Sequence, residues 1–223
     1  MVWTASLLAL GSPPANPISL GILTHAERAR IGEAVASEGS TVYEGDRLST
    51  ESGGLMRVHS PALQLQLDAQ STLTLRQTAS PQTDIVAELA SGTLVFSVSS
   101  NGNFHVAADD ATIRPMTDVP AVGHVRVVNP RELRIYAHRG ALEFSYRGES
   151  EAIPEGAAYR VILDPDTPAA SASESDHGDK KRTKNHATFV LSAIGIAGGV
   201  GIPLLAHEFE SPDKPGRHHH KQH

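Results

Sequence analysis

Between about Arg28 and Asp164, apolar and polar side chains alternate with period two. Leu63, Leu65 and Leu67 alternate with Gln64, Gln66 and Asp68; Leu94, Phe96 and Val98 are separated by Val95 and Ser97. Val125 and Val127 flank Arg126, Leu133 and Ile135 flank Arg134, and Leu142, Phe144 and Tyr146 alternate with Glu143 and Ser145. A strand sends successive side chains to opposite faces, so each run offers one apolar face and one polar face. No stretch in this region sustains the i, i+3, i+4, i+7 spacing of an amphipathic helix.

Turn signals cut the alternation at Glu44-Gly45-Asp46, Ser91-Gly92, Arg139-Gly140, Glu155-Gly156 and several Ser-Pro pairs. Glycine supplies positive φ and proline removes a ladder donor, so each can end a strand. Gly45, Asp46, Gly92, Gly140 and Gly156 are the candidate structural turn residues. The gaps of roughly 8–12 residues suit a sandwich, a barrel or a coiled β-solenoid. About a dozen short strands fit that spacing, and Asn101-Gly102 between Val98 and Phe104 is the clearest hairpin signal. The fold class read from this is all-β: a β-sandwich or twisted β-solenoid over residues 27–164.

The flanks differ in kind. Residues 1–26 read as a signal-like or truncated leader: Val2 to Leu10 is apolar and Gly11-Ser12-Pro13-Pro14-Ala15 stops it. A disordered start or an added strand is the other reading. Residues 165–186 read as a disordered linker, rich in Ala, Ser, Asp and Pro, that ends in the basic run Lys180, Lys181, Arg182 and Lys184. Residues 187–206 carry no charge. As one helix they would span ~30 Å, about a hydrocarbon core, and Gly195 and Gly199 would form a small-residue helix-packing pair. The expected reading is a transmembrane helix; the alternative is an apolar Gly-rich segment docked on the β domain. Residues 207–223 form a polar, His-rich tail.

Charge separates the same pieces. Residues 1–164 hold 12 Arg, no Lys and 18 acidic residues, and thus carry the whole net charge of −6. Such a body lacks the clustered positive charge of a nucleic-acid binder. There are no cysteines, which removes thiolate chemistry and disulfides. His25, His59, His105, His124 and His138 are isolated, with no His-x-His or His-Glu-x-x-His spacing, so no metal site is expected. No Gly-x-Ser-x-Gly elbow and no phosphate cradle ending in Lys occurs. No cofactor is implied, and the chain is expected not to be an enzyme.

An ordered series of short motifs adds to this. Ile31-Gly32-Glu33-Ala34-Val35 precedes Val42-Tyr43-Glu44-Gly45-Asp46-Arg47-Leu48-Ser49-Thr50. Gly53-Gly54-Leu55-Met56-Arg57-Val58, Leu63-Gln64-Leu65-Gln66-Leu67, Ser71-Thr72-Leu73-Thr74-Leu75 and Leu89-Ala90-Ser91-Gly92-Thr93-Leu94 follow. Asn103-Phe104-His105-Val106, Leu133 to Phe144 and Ile153-Pro154-Glu155-Gly156 complete it. Residues 30–162 in this order resemble the FecR-domain family, although Ser60-Pro61-Ala62 stands where that family has an Asp-Gly turn.

The resemblance implies an extracytoplasmic all-β domain, found in anti-sigma regulators that sense a signal across the inner membrane and in exported proteins. The anti-sigma activity needs a cytoplasmic helical segment ahead of a membrane helix, for which residues 1–26 are too short. The expected function is therefore a non-enzymatic, membrane-anchored module, held by residues 187–206 with its β domain in the periplasm. It would bind a protein or envelope polymer, with Arg126, Arg134 and Arg147 as candidate anchors. The alternative is a sensory subunit of a transmembrane signalling system acting through its Gly-rich helix. The run Lys180 to Lys184 opposes the exported location, because positive charge favours the cytoplasmic side.

Overall fold

The computed structural model describes residues 17–78, 84–100, 103–116, 120–164, 183–185 and 188–194. These residues are all-β. The strands are β1 (Ser19–Ile31), β2 (Ala34–Val35), β3 (Thr41–Tyr43), β4 (Arg47–His59), β5 (Leu63–Leu67), β6 (Thr72–Thr78), β7 (Asp84–Val98) and β8 (Phe104–Ala108). They continue with β9 (Ala111–Pro115), β10 (Ala121–Asn129), β11 (Glu132–Arg139), β12 (Leu142–Tyr146), β13 (Glu149–Ile153), β14 (Ala158–Leu163), β15 (Thr183–Asn185) and β16 (Phe189–Ala193).

Three of these strands are long, and each is shared by two layers. The first half of β7 pairs with β6 on one edge and with β8 on the other; its second half pairs with β5 and β10. β4 follows the same division, with Arg47–Ser49 on β6 and Met56–His59 on β5. β1 runs beside both halves of β4 and shifts register between Glu27 and Ala29, while four residues of β4, Glu51–Gly54, have no partner on it. From β7 one layer continues through β8, β9, β12 and β13, and the other through β10, β11, β14, β16 and β15. The layers face each other: the Phe96 ring of one lies 5.1 Å from Phe104 of the other, and Phe144 meets Phe189 edge-on at 4.9 Å. Leu65, Leu67, Leu73, Leu89, Leu94 and Met56 fill the space between. This is a sandwich whose layers are joined along one side by bent strands.

The bends meet at one buried cluster of hydroxyls. Thr50 Oγ1 donates to the Asp68 carbonyl and accepts from the Ser71 backbone N–H at 3.0 Å. Ser71 Oγ accepts from the Thr93 N–H at 2.8 Å and donates to the Thr93 carbonyl at 3.2 Å. The side chains thus satisfy backbone groups that lose regular ladder partners where β4 and β7 turn. Gly92 sits at this turn with φ +84°, and a Cβ there would lie 2.6 Å from the Gln70 carbonyl oxygen. Backbone conformation and close approach both demand glycine at this position.

Several expectations change at this level. The leader does not extend to residue 26, because Ser19–Ile31 is strand β1 and buries Leu20, Leu23 and Ala29. Register shifts in β1, one against β3 and two against β4, break its period-two pattern, which hides the strand in the sequence. Residues 1–16 lie outside the described residues. Asn101-Gly102 does not join a hairpin: β8 runs parallel to the first half of β7, from Ile85↔Phe104 to Glu88↔Ala107. The chain leaves the second half of β7 in one layer and re-enters the other as β8. Thr183–Asn185 is strand β15, inside the segment expected to be a linker.

The apolar stretch 187–206 does not run as one helix. Phe189–Ala193 is strand β16, paired antiparallel with β14 from Leu163↔Phe189 to Tyr159↔Ala193. Phe189 and Leu191 are fully buried in the sandwich. A short apolar run reads equally as buried strand or helix by periodicity, and here the open edge of β14 decides. Gly195, Gly199 and the rest of the stretch beyond Ile194 lie outside the described residues. Among the described residues no helix is long and apolar enough to cross a membrane.

Two substitutions test this architecture by denaturant unfolding. Ser71→Ala strands the Thr93 N–H and should cost ~1–3 kcal/mol. Phe189→Ala should cost ~3–5 kcal/mol because it opens a cavity against Phe144; an unchanged midpoint would show that β16 does not belong to the core.

Candidate functional site

The polar face of the layer that holds β10, β11 and β14 carries three arginines side by side. Antiparallel registers place Thr93, Arg126, Arg134, Arg160 and Ser192 directly opposite one another across β7, β10, β11, β14 and β16. Each arginine lies on an outward position flanked by buried neighbours: Val125 beside Arg126, Leu133 and Ile135 beside Arg134, Tyr159 and Val161 beside Arg160. Adjacent strands are ~4.8 Å apart, so three guanidinium stems rise side by side. Like charges directly opposite each other destabilise a sheet.

One carboxylate offsets part of this. Glu132, at the start of β11, receives Arg160 Nε at 2.7 Å and Arg160 Nη2 at 2.8 Å, a two-pronged pair, while Arg134 Nε stands 3.7 Å away. The hydrogen bonds from Arg160 hold the Glu132 carboxyl below its ordinary value; desolvation opposes them, and the charges of Arg160 and Arg134 add to the lowering. Arg126 is exposed and makes no ion pair or hydrogen bond with a described residue.

The neighbouring row on the same face is Arg57, Gln66, Val95, His124 and Tyr136. Arg57 Nε donates to Gln66 Oε1 at 3.0 Å, and Gln66 Nε2 donates to Asp68 Oδ1 at 2.9 Å. Burial holds the His124 imidazole below its usual range; Asp68 draws it upward and Arg126 presses it further down. The Tyr136 ring stands edge-on to His138 at 5.6 Å.

The candidate anchors separate here. Arg126 and Arg134 come together and are joined by Arg160, which the sequence pattern did not single out. Arg147 does not belong to the row. It sits in the turn between β12 and β13, donates to Asp164 Oδ1 at 2.7 Å and stacks over Tyr146 at 5.0 Å. Tyr146 O–H donates to Asp164 Oδ2 at 2.8 Å, and burial followed by that hydrogen bond pushes the phenol up. Arg147 is a clamp on the end of β14. Arg160, Glu132 and His124 were hidden because membership of one row depends on register between distant strands.

Gly45, Gly92, Gly140 and Gly156 all have positive φ. The Asp46 carboxylate accepts from the Tyr43 N–H at 2.8 Å, and the Gly156 N–H donates to the Ala137 carbonyl at 2.7 Å. Gly45, Asp46, Gly140 and Gly156 lie between strands and Gly92 at the bend within β7; none belongs to the arginine row.

At the open end of the sandwich an open groove of about 650 Å³ runs between the layers. Its lining is mainly small and aliphatic, including Ala90, Ala107, Val127, Leu133 and Leu163, with Glu88 and Asp109 beside them. Among the described residues no group of three His, Asp or Glu side chains is placed to hold a metal.

The chain matches no family model and no curated protein. It is similar to a crystal structure described as a "putative anti-sigma factor" from Parabacteroides distasonis ATCC 8503, at 16% identity and a TM-score of 0.44. The match covers 52% of this chain and 54% of that one, so the chain spans about half the length of that structure.

His124 and Glu132 both have folded-state pKa values below their ordinary 6.5 and 4.5. The unfolded chain therefore takes up each proton first, and each group's stabilisation is present above those values and lost as pH falls below them. Denaturant midpoints should drop in two stages on acidification. His124→Gln should remove the upper stage and Glu132→Gln the lower; a slope around pH 6.5 that persists in His124→Gln would refute the assignment.

Proposed function

We propose that this chain is a non-catalytic, FecR-like β-sandwich that works by binding, and that its partner in the cell envelope is held by the row Arg126, Arg134 and Arg160. The observation that carries this reading is the row itself: three arginines in direct register with one carboxylate among them, on a domain whose net charge is negative. Charges that repel within the fold are relieved when an anion joins them. The FecR-like motif series supports a place outside the cytoplasm. In this reading the face supplies the attachment, and Phe189–Ala193 contributes a strand of the sandwich.

Retention on washed envelope fractions tests the reading. The full chain should remain with the envelope at low salt and be released as salt screens the contact. Arg126→Glu combined with Arg134→Glu should release it without salt. Equal retention of the variant would overturn the role of the row. Protease added to intact spheroplasts should digest the β domain; full protection would overturn the exported location.

A further inference from the structure

Resting on that reading, we infer that the partner is a protein, and that it meets this face with an acidic segment carrying apolar side chains among its carboxylates. The arginine row does not lie in a polar field. On one side of it, register places Ile162 of β14 opposite Val190 of β16. On the other side Tyr136 lies opposite Ala158, and the Ile194 N–H donates to the Ala158 carbonyl at 2.8 Å. These five occupy outward positions: Ile135, Tyr159, Val161, Phe189 and Leu191, which alternate with them, are buried, and Ala193 beside Ile194 packs on the core. Ile194 is 40% exposed and the other four are partly exposed. A water-facing sheet surface ordinarily carries polar side chains at such positions, so two apolar strips beside a row of cations need a partner to cover them.

Glu132 already takes both prongs of Arg160, which leaves two cations for the partner. Arg126 is exposed and makes no ion pair or hydrogen bond with a described residue, and Arg134 is exposed with its Nε 3.7 Å from Glu132. Height then separates the kinds of anionic partner. A guanidinium stands at the end of a methylene stem, above the valine, isoleucine and alanine side chains of the same sheet. A plane of lipid headgroups rests on the guanidinium ends and leaves the apolar strips wet. A protein surface has side chains of unequal length. Its carboxylates meet Arg126 and Arg134, while its apolar side chains reach down to Ile162 and Val190, or to the step at Ala158 between Tyr136 and Ile194. Arginine and tyrosine around an apolar floor make up the well-packed centre of protein interfaces. β10, β11 and β14 are hydrogen-bonded on both edges, so side chains and not backbone pairing carry the contact.

Retention of the full chain at low salt on three surfaces tests the inference: washed envelopes, envelopes stripped with proteinase and washed again, and phosphatidylglycerol vesicles. The chain should stay on the first and be lost from the other two. Ile162→Ser combined with Ile194→Ser leaves every arginine in place and should lower retention on washed envelopes about tenfold or more, with an unchanged circular dichroism spectrum. Ile162→Val with Ile194→Val keeps the apolar floor and should be retained as the parent is. Retention that survives proteinase, equal retention on the vesicles, or indifference to the serine pair would overturn the protein partner and keep the arginine row as an anion contact. A parent chain that washes off untreated envelopes would overturn the role of the row as well.

Discussion

The bridge from the Thr50 and Ser71 hydroxyls to the Thr93 backbone holds the corner where β4 and β7 bend between the layers. β4 and β7 each serve two layers, and each must turn between them. A turn inside a sandwich removes ladder partners in a setting without water, where an unpaired amide costs more than an ordinary hydrogen bond gains. Ser71, placed between β5 and β6, meets the bends of both long strands at once: its backbone reaches Thr50 and its hydroxyl reaches Thr93. Gly92 lets the two backbones approach closely enough for that contact.

Everything downstream inherits this corner. Because β7 is divided, the chain alternates between layers, with β8 and β9 on one side, β10 and β11 on the other, β12 and β13 back again, and then β14. Each short strand finds an edge left by an earlier one. β14 leaves such an edge, and Phe189 and Leu191 fill it, closing the core against Phe144. Five residues of an apolar run, Phe189–Ala193, are thereby used as a strand.

The same alternation builds the arginine row. Arg126, Arg134 and Arg160 are far apart in the chain and adjacent only because β10, β11 and β14 pair in one particular register. A shift of one residue in any strand would turn its arginine into the core. Glu132 is drawn into the row from an edge position and holds Arg160, and to a lesser degree Arg134, while Arg126 is left to the solvent. The repulsion that remains makes the face receptive to anions. Arg147 has the same residue type and a similar sequence setting, yet its turn position delivers it to Asp164. Residue type therefore did not separate a surface cation from a clamp.

From the sequence alone came the all-β class, the turn glycines and the inward set of β5, β6, the second half of β7, β8, β11 and β12. These follow from period-two alternation and from backbone angles, both of which are local. The tertiary structure decided what depends on pairing: the strand nature of Ser19–Ile31, whose bulges disrupt the pattern, and the parallel placement of β8, which no turn motif encodes. It also decided the burial of Phe189–Ala193 and the assembly of Arg126, Arg134 and Arg160 into one row. Alternation says which face a side chain occupies; only register between distant strands says which other side chains it meets there.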